Sequence, residues 1–141
     1  MFEFLDHTAD IAVRIRAASG AEFFEEAARA FLALLLDLDS SSAEPRRELP
    51  LHLEAEDAES LLVDFLNELI FLFDTQRMVV SQIVVEDARL ESPASLRATL
   101  RGETFDASRH TARTAVKAAT FHGLEVRRTS EGVEAVVVFD L

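Results

Sequence analysis

The chain contains no cysteine. That excludes a disulfide scaffold, a Cys-ligated zinc site, an iron–sulfur cluster and a thiol nucleophile. Glycine (4) and proline (3) are scarce among 141 residues, whereas 49% of the chain is hydrophobic, so disorder and low complexity are excluded for most of it. No apolar run reaches the ~18 residues of a membrane span, and the opening Met1–Asp6 lacks the basic region of a signal peptide. A soluble, cytoplasmic protein with no membrane partner is expected. Lysine is nearly missing too: Lys117 is the one lysine beside thirteen arginines. A compact, titratable ammonium in so Arg-biased a composition is a candidate functional group, although a surface lysine on a strand would look the same.

The acids outweigh the bases, and the formal net charge is -12. Sequence-independent nucleic-acid binding needs clustered cations against phosphates. This chain is therefore expected to bind no RNA tightly by itself.

The 141 residues are the length of one domain, and no internal repeat or second domain is visible. Two short strands open the chain, the second over Ile11–Arg16, joined through the polar stretch Asp6–Asp10. Ser19 and Glu22 have the spacing of a capping box. Phe23, Ala27, Ala30, Phe31, Leu34 and Leu38 then recur at helical spacing, which predicts a helix over 20–37. Asp37–Arg47, with three serines and Pro45, reads as a loop. Leu49–Ala55 alternates as a strand, and Asp57 can cap a second helix running to about Asp74. That helix is apolar nearly all round, so it should be covered on two sides. Further strands are predicted over Met78–Val85, Arg89–Leu90, Leu96–Arg101, Val116–Phe121, Leu124–Arg128 and Val133–Phe139. Ser92–Ser95 and Thr129–Gly132 read as turns, Asp106–Thr114 as a polar connection, and His122-Gly123 as a bulge or kink. Six or more strands with two long helices do not alternate in the βαβ manner. The expected fold is α+β, a mainly antiparallel β-sheet packed with the two helices.

No Gly-rich phosphate loop, nucleophile elbow or zinc-helix motif is present. What remains is a set of polar residues where strands end. Asp10 opens an early strand, Asp140 closes the last one, and Leu141 adds an α-carboxylate. If the early and last strands are neighbours, these three supply oxygen donors only, a set suited to Ca²⁺, Mg²⁺ or Mn²⁺ rather than Zn²⁺. Solvated strand caps are the alternative reading. Glu103, Asp106, Arg109, His110, Lys117 and His122 sit between or beside strands in the C-terminal half. A structural hydrogen-bonding role is the default for His7, His110 and His122, and His52 reads as a surface residue.

Five segments together resemble the archease family: His7–Ile11; Gly102-Glu103 with Asp106 and Arg109-His110; Lys117–Val126; the ending Val138–Leu141; and the helix Leu62–Ile70. The resemblance runs in order along the whole chain. It implies an archease-like fold and an accessory role, without enzymatic activity of its own, toward an RtcB-type RNA ligase. That ligase is a GTP- and Mn²⁺-dependent enzyme of tRNA splicing, and the accessory protein promotes its guanylylation and multiple turnover. The resemblance further implies a divalent-metal site at Asp10, Asp140 and Leu141, with Ca²⁺ expected in the isolated protein and Mg²⁺ or Mn²⁺ as alternatives. Lys117 and Glu103 match polar positions associated with ligase activation. The family usually has Tyr where Phe121 stands and Ile where Leu141 stands. A general chaperone or modulator of RNA-modifying enzymes, which would need an exposed apolar patch, and a stand-alone metal-dependent hydrolase are the rival functions.

Overall fold

In the computed structural model, residues 1–6, 10–37 and 46–141 are described. His7, Leu38 and most of the loop expected over Asp37–Arg47 lie outside them. The described residues form two helices and eight strands, in the order β1 (Phe2–Asp6), β2 (Asp10–Ala17), α1 (Gly20–Leu35), β3 (Arg47–Ala55), α2 (Ala58–Gln76), β4 (Met78–Arg89), β5 (Ala94–Thr104), β6 (Ala118–Thr120), β7 (Arg127–Thr129) and β8 (Gly132–Asp140). All strand pairs are antiparallel, and the strands divide between two sheets. One sheet runs β1-β2-β8-β6, with β7 also on β8; the other runs β3-β5-β4. The expected α+β architecture is therefore present, with its strands in two sheets rather than one.

Both helices begin where their caps predict. Ser19 Oγ accepts from the Glu22 N–H at 3.2 Å, and the Glu22 carboxylate reaches back to the Ala18 N–H at 3.0 Å. Asp57 accepts from the Ser60 N–H at 2.8 Å, and the charge-stabilising bond holds its carboxyl below the usual range. The first helix stops at Leu35 instead of continuing to residue 37. Segment 111–113 competes for its end: Arg113 N–H donates to the Leu35 carbonyl at 2.9 Å, and Asp37 N–H donates to the Thr111 carbonyl at 2.8 Å. Leu36 is thereby drawn into extended backbone and bridges Ala112.

The core lies where the helices meet both sheets. α1 packs on β4 of one sheet and on β1, β2 and β8 of the other, while α2 touches β3, β4 and β5 as well as β6. Phe24 and Phe65 meet edge to face across the two helices at 5.3 Å, and Phe31 stacks over Phe139 of β8. Each such side chain, fully buried, contributes roughly 1.5–3 kcal/mol. α2 is covered on two sides, as its nearly uniform apolarity requires, but Phe71 stays exposed.

Three strand expectations change in the structure. The two predicted pieces at 78–85 and 89–90 are one strand, β4, whose alternation is broken by register shifts between Val80 and Gln82 and between Val85 and Asp87. The strands expected over 116–121 and 124–128 shrink to β6 and β7, which share one edge of β8. Between them the chain leaves the sheet through a turn at His122-Gly123, with Gly123 at φ +63°. The 106–114 connection contains a turn at 107–109 and no helix.

Gly102 is required by space. A Cβ there would lie 1.9 Å from the Val79 carbonyl oxygen, because β5 and β4 close tightly beside the first register shift. Neither backbone can yield without opening the ladder that carries Glu103. We expect Gly102→Ala to destabilise the protein by about 2–3 kcal/mol or more, at the upper end for overpacking. Urea unfolding checks this, and a loss below about 0.5 kcal/mol would show that the strands can separate locally.

Candidate functional site

Asp10 is the first residue of β2 and Asp140 the last of β8, and the register sets them directly opposite one another. Opposed residues of an antiparallel pair project from the same face, with Cβ atoms about 4.5–5.5 Å apart. On the other edge of β8, Ala118 of β6 is level with Asp140, and the Lys117 N–H donates to the Asp140 carbonyl at 2.9 Å. One rung of the sheet thus gathers Asp10, Asp140 and, immediately beside them, Lys117 and Leu141. Asp10 is half-buried, while Asp140, Lys117 and Leu141 are exposed.

Two carboxylates opposed across strands repel and destabilise the pair unless a cation lies between them. Among the described residues, no three His, Cys, Asp or Glu side chains converge on a metal-sized site. The opposed Asp10 and Asp140 offer two carboxylates at this rung, to which an α-carboxylate at Leu141, one residue along, would add a third oxygen donor. The donor set, oxygen throughout and doubly or triply anionic, fits a hard divalent cation and not a zinc ion.

Glu103 takes a different place. It stands on β5 in the other sheet and is 2% exposed. Its Oε1 lies 2.9 Å from Arg109 Nη2 and 2.6 Å from Nε2 of His110, whose side chain is wholly buried. His110 Nδ1 accepts the Asp106 backbone N–H at 2.8 Å, which turns the Nε2 edge of the ring toward Glu103. Asp106 caps the same turn, accepting from the Ser108 N–H and hydroxyl and from Arg109. Those bonds, the Ser108 hydroxyl foremost, hold its carboxyl down at about 2. Glu103, Asp106, Arg109 and His110 therefore form one polar knot that ties the 105–110 turn to β5, with His110 in the structural role expected of it. His122 is exposed in its turn, and exposed His52 lies 3.4 Å from Glu54.

Two residues that position the Lys117 segment escaped the sequence reading. Asn67, midway along α2, donates to the Ala119 carbonyl at 3.3 Å and accepts the Ala119 N–H at 2.8 Å, so a side-chain amide takes the place of a neighbouring strand. Glu59, two turns earlier, accepts the Val126 N–H at 2.7 Å. The available signal was an amide in the middle of a mainly apolar helix.

Two outcomes are expected. Asn67→Leu fills the space but strands both Ala119 groups, and should cost about 1–3 kcal/mol with faster amide exchange at Ala119; unchanged exchange there would mean that β6 holds without the amide. For Asp106, whose folded pKa lies below the ordinary value of 3.8, the stabilisation is present above about pH 4 and disappears as pH falls towards 2. Carboxyl NMR should give a midpoint of about 2, moving up towards 3.8 in Ser108→Ala; a native midpoint of 3.8 or above would contradict the capped turn.

Comparison with known proteins places these features in a family context. The model of the archease protein family matches residues 2–141. Protein archease of Methanosarcina barkeri is 37% identical over 141 residues, covering 99% of this chain and 95% of the relative. The solution structure of Methanobacterium thermoautotrophicum protein 1598 superposes with a TM-score of 0.82 at 35% identity, covering 99% and 98% of the two chains. A crystal structure described as an archease and possible chaperone, from Thermotoga maritima, gives a TM-score of 0.66 at 25% identity over 97% and 94%.

Proposed function

The chain belongs to the archease family, and on that premise we propose that it is an accessory protein of an RtcB-type RNA ligase, promoting guanylylation of the ligase and its multiple turnover. The observation that carries the reading is the direct opposition of Asp10 and Asp140 beside Lys117 at one exposed end of a sheet. Asp10, Asp140 and the Leu141 carboxylate would hold the divalent cation, with Ca²⁺ expected in the isolated protein and Mg²⁺ or Mn²⁺ as alternatives. A cation so held neutralises charge on triphosphate oxygens during nucleotidyl transfer.

The chain's own groups do the rest. Lys117 is exposed and its backbone is bonded to Asp140; its ammonium would meet the same phosphate oxygens as a point charge. The Glu103–His110 knot fixes the start of the 105–117 segment that delivers Lys117, so Glu103 acts as a positioning residue. The net charge of -12 directs an RNA-processing role through a protein partner, whose basic RNA-docking surface the acidic chain can approach rapidly and with marked salt dependence.

The test is single-turnover guanylylation of the cognate ligase with and without this protein, beside calorimetric metal titration. Native protein should accelerate guanylylation. Asp10→Ala and Asp140→Ala should each weaken metal binding and activation by at least tenfold without unfolding the chain. Two residues appended after Leu141 displace its carboxylate by ~3.3 Å per residue and should weaken both less severely. Lys117→Arg should bind metal normally yet activate poorly, since a planar fork replaces a point charge. Native behaviour of both aspartate variants would put the metal site elsewhere, and an unaffected ligase would overturn the functional reading.

A further inference from the structure

Arg77 is the one non-glycine residue with positive φ among the described residues. It ends α2 at φ 53°, ψ 32°, a position that helices usually give to glycine. Its backbone bonds would suit glycine as well: the N–H donates to the Phe73 carbonyl at 2.9 Å, and the carbonyl accepts from the Phe105 N–H at 2.7 Å. The side chain is what glycine lacks. Its guanidinium lies 4.3 Å from the centre of the Phe73 ring and 5.2 Å from that of Phe105, so two rings hold it in place. A left-handed backbone kept at an arginine points to a role for that side chain.

Arg77 lines a cavity of about 270 Å³ between the C-terminal ends of the two helices. Phe31 and Leu35 of α1 and Ile70 and Phe73 of α2 give it apolar walls, and residues 112–116 close a further side. A second guanidinium joins the lining from that closing segment. Arg113 makes one long side-chain bond, from Nη1 to the Ala33 carbonyl at 3.4 Å. Seven other arginines lie against carboxylates, but among the described residues neither Arg77 nor Arg113 does. Asp74, the acid in the same lining, is exposed and forms an ion pair with neither. The cavity therefore presents two cations against one anion, in a chain whose net charge is -12.

We propose that this cavity binds a small anion with an apolar body, an aromatic phosphate or carboxylate, whose ring enters between the helices while its oxygens meet Arg77 and Arg113. Guanidiniums present planar forks of donors that match phosphate and carboxylate oxygens, and the rings beside Arg77 orient its fork in advance. The volume sets the size of the occupant. It stands at the small end of ligand sites, enough for one ring with a short substituent, whereas a partner's helix or strand needs an extended groove. The site uses none of the Asp10, Asp140, Leu141 or Lys117 side chains and is independent of the functional reading above. Val116 in its lining directly precedes Lys117, so an occupant lies against the segment that delivers the lysine.

The experiment follows backbone amide shifts of the isolated protein on titration with phenyl phosphate, benzoate, phenol and inorganic phosphate. Phenyl phosphate or benzoate should shift the amides of residues 112–116 saturably, with a dissociation constant on the order of 1 mM, and the tighter of the two identifies the anionic group. Phenol has the ring alone and inorganic phosphate the charge alone, so each should bind roughly tenfold more weakly or worse. Arg77→Gly and Arg113→Gln should each weaken binding about tenfold. Glycine suits the backbone at position 77, so the unfolding midpoint of that variant should not fall. Asp74→Asn, which removes the opposing charge, should tighten binding about two- to threefold. The absence of saturable shifts over 112–116 would overturn the site, and so would phenol binding as tightly as phenyl phosphate. Full affinity in the Arg77→Gly, Arg113→Gln double variant would show that the guanidiniums serve only the helix ends. Should Arg77→Gly unfold more easily, Asp74→Asn decides, because unchanged or weaker affinity in that variant also overturns the proposal.

Discussion

Strand β8 pairs along both of its edges, and the placement of every group at the candidate site depends on that pairing. β2 occupies one edge from Asp10 to Ala17, and β6 and β7 divide the other. Because the pleat has a period of two, a slip of one residue between β2 and β8 would turn Asp10 and Asp140 to opposite faces. The same slip would lift one strand's buried set, Val13 and Ile15 or Val137 and Phe139, out of the core. Burial of those side chains therefore enforces the register that opposes two like charges. The local cost of the aspartate pair is carried by apolar packing a few residues away.

The second constraint is the interrupted edge. A continuous strand over 116–128 would have sealed β8 and hidden the Phe121 turn in the sheet. Instead the chain departs after Thr120 and returns at Arg127, and the backbone groups freed by the departure are met from α2. The exchange of ladder bonds for Asn67 and Glu59 lets β6 remain only three residues long without leaving Ala119 bare. A short, clamped edge strand also resists the edge-to-edge association to which open sheets are prone.

Arginine is distributed to match. Arg14, Arg16, Arg29, Arg97, Arg101, Arg109 and Arg128 each lie against a carboxylate. In a chain with a net charge of -12, cations spent on internal pairs leave its outer field strongly negative, which suits approach to a basic protein and opposes approach to free RNA. The lone lysine is placed apart from those pairs, next to the aspartate rung.

Much of this was legible in the residues themselves. The capping residues Ser19 and Asp57, the helical stripes and the alternating strands depend on contacts within a few positions, and these local preferences agree with the final fold. Asp10, Asp140 and Leu141 could be singled out because strand ends are visible as the limits of apolar alternation, and the family resemblance implied a metal-binding chemistry for them. Tertiary structure decided what depends on partners distant in sequence. It set the division of the strands into two sheets, and it ended α1 at Leu35, where segment 111–113 captures its last groups. It also buried Glu103 against His110 rather than beside Lys117, because β5 belongs to the other sheet. Asn67 shows the boundary most plainly. Its sequence signal is a mid-helix amide among mainly apolar neighbours, and its role exists only because a strand 52 residues later presents an N–H and carbonyl to it.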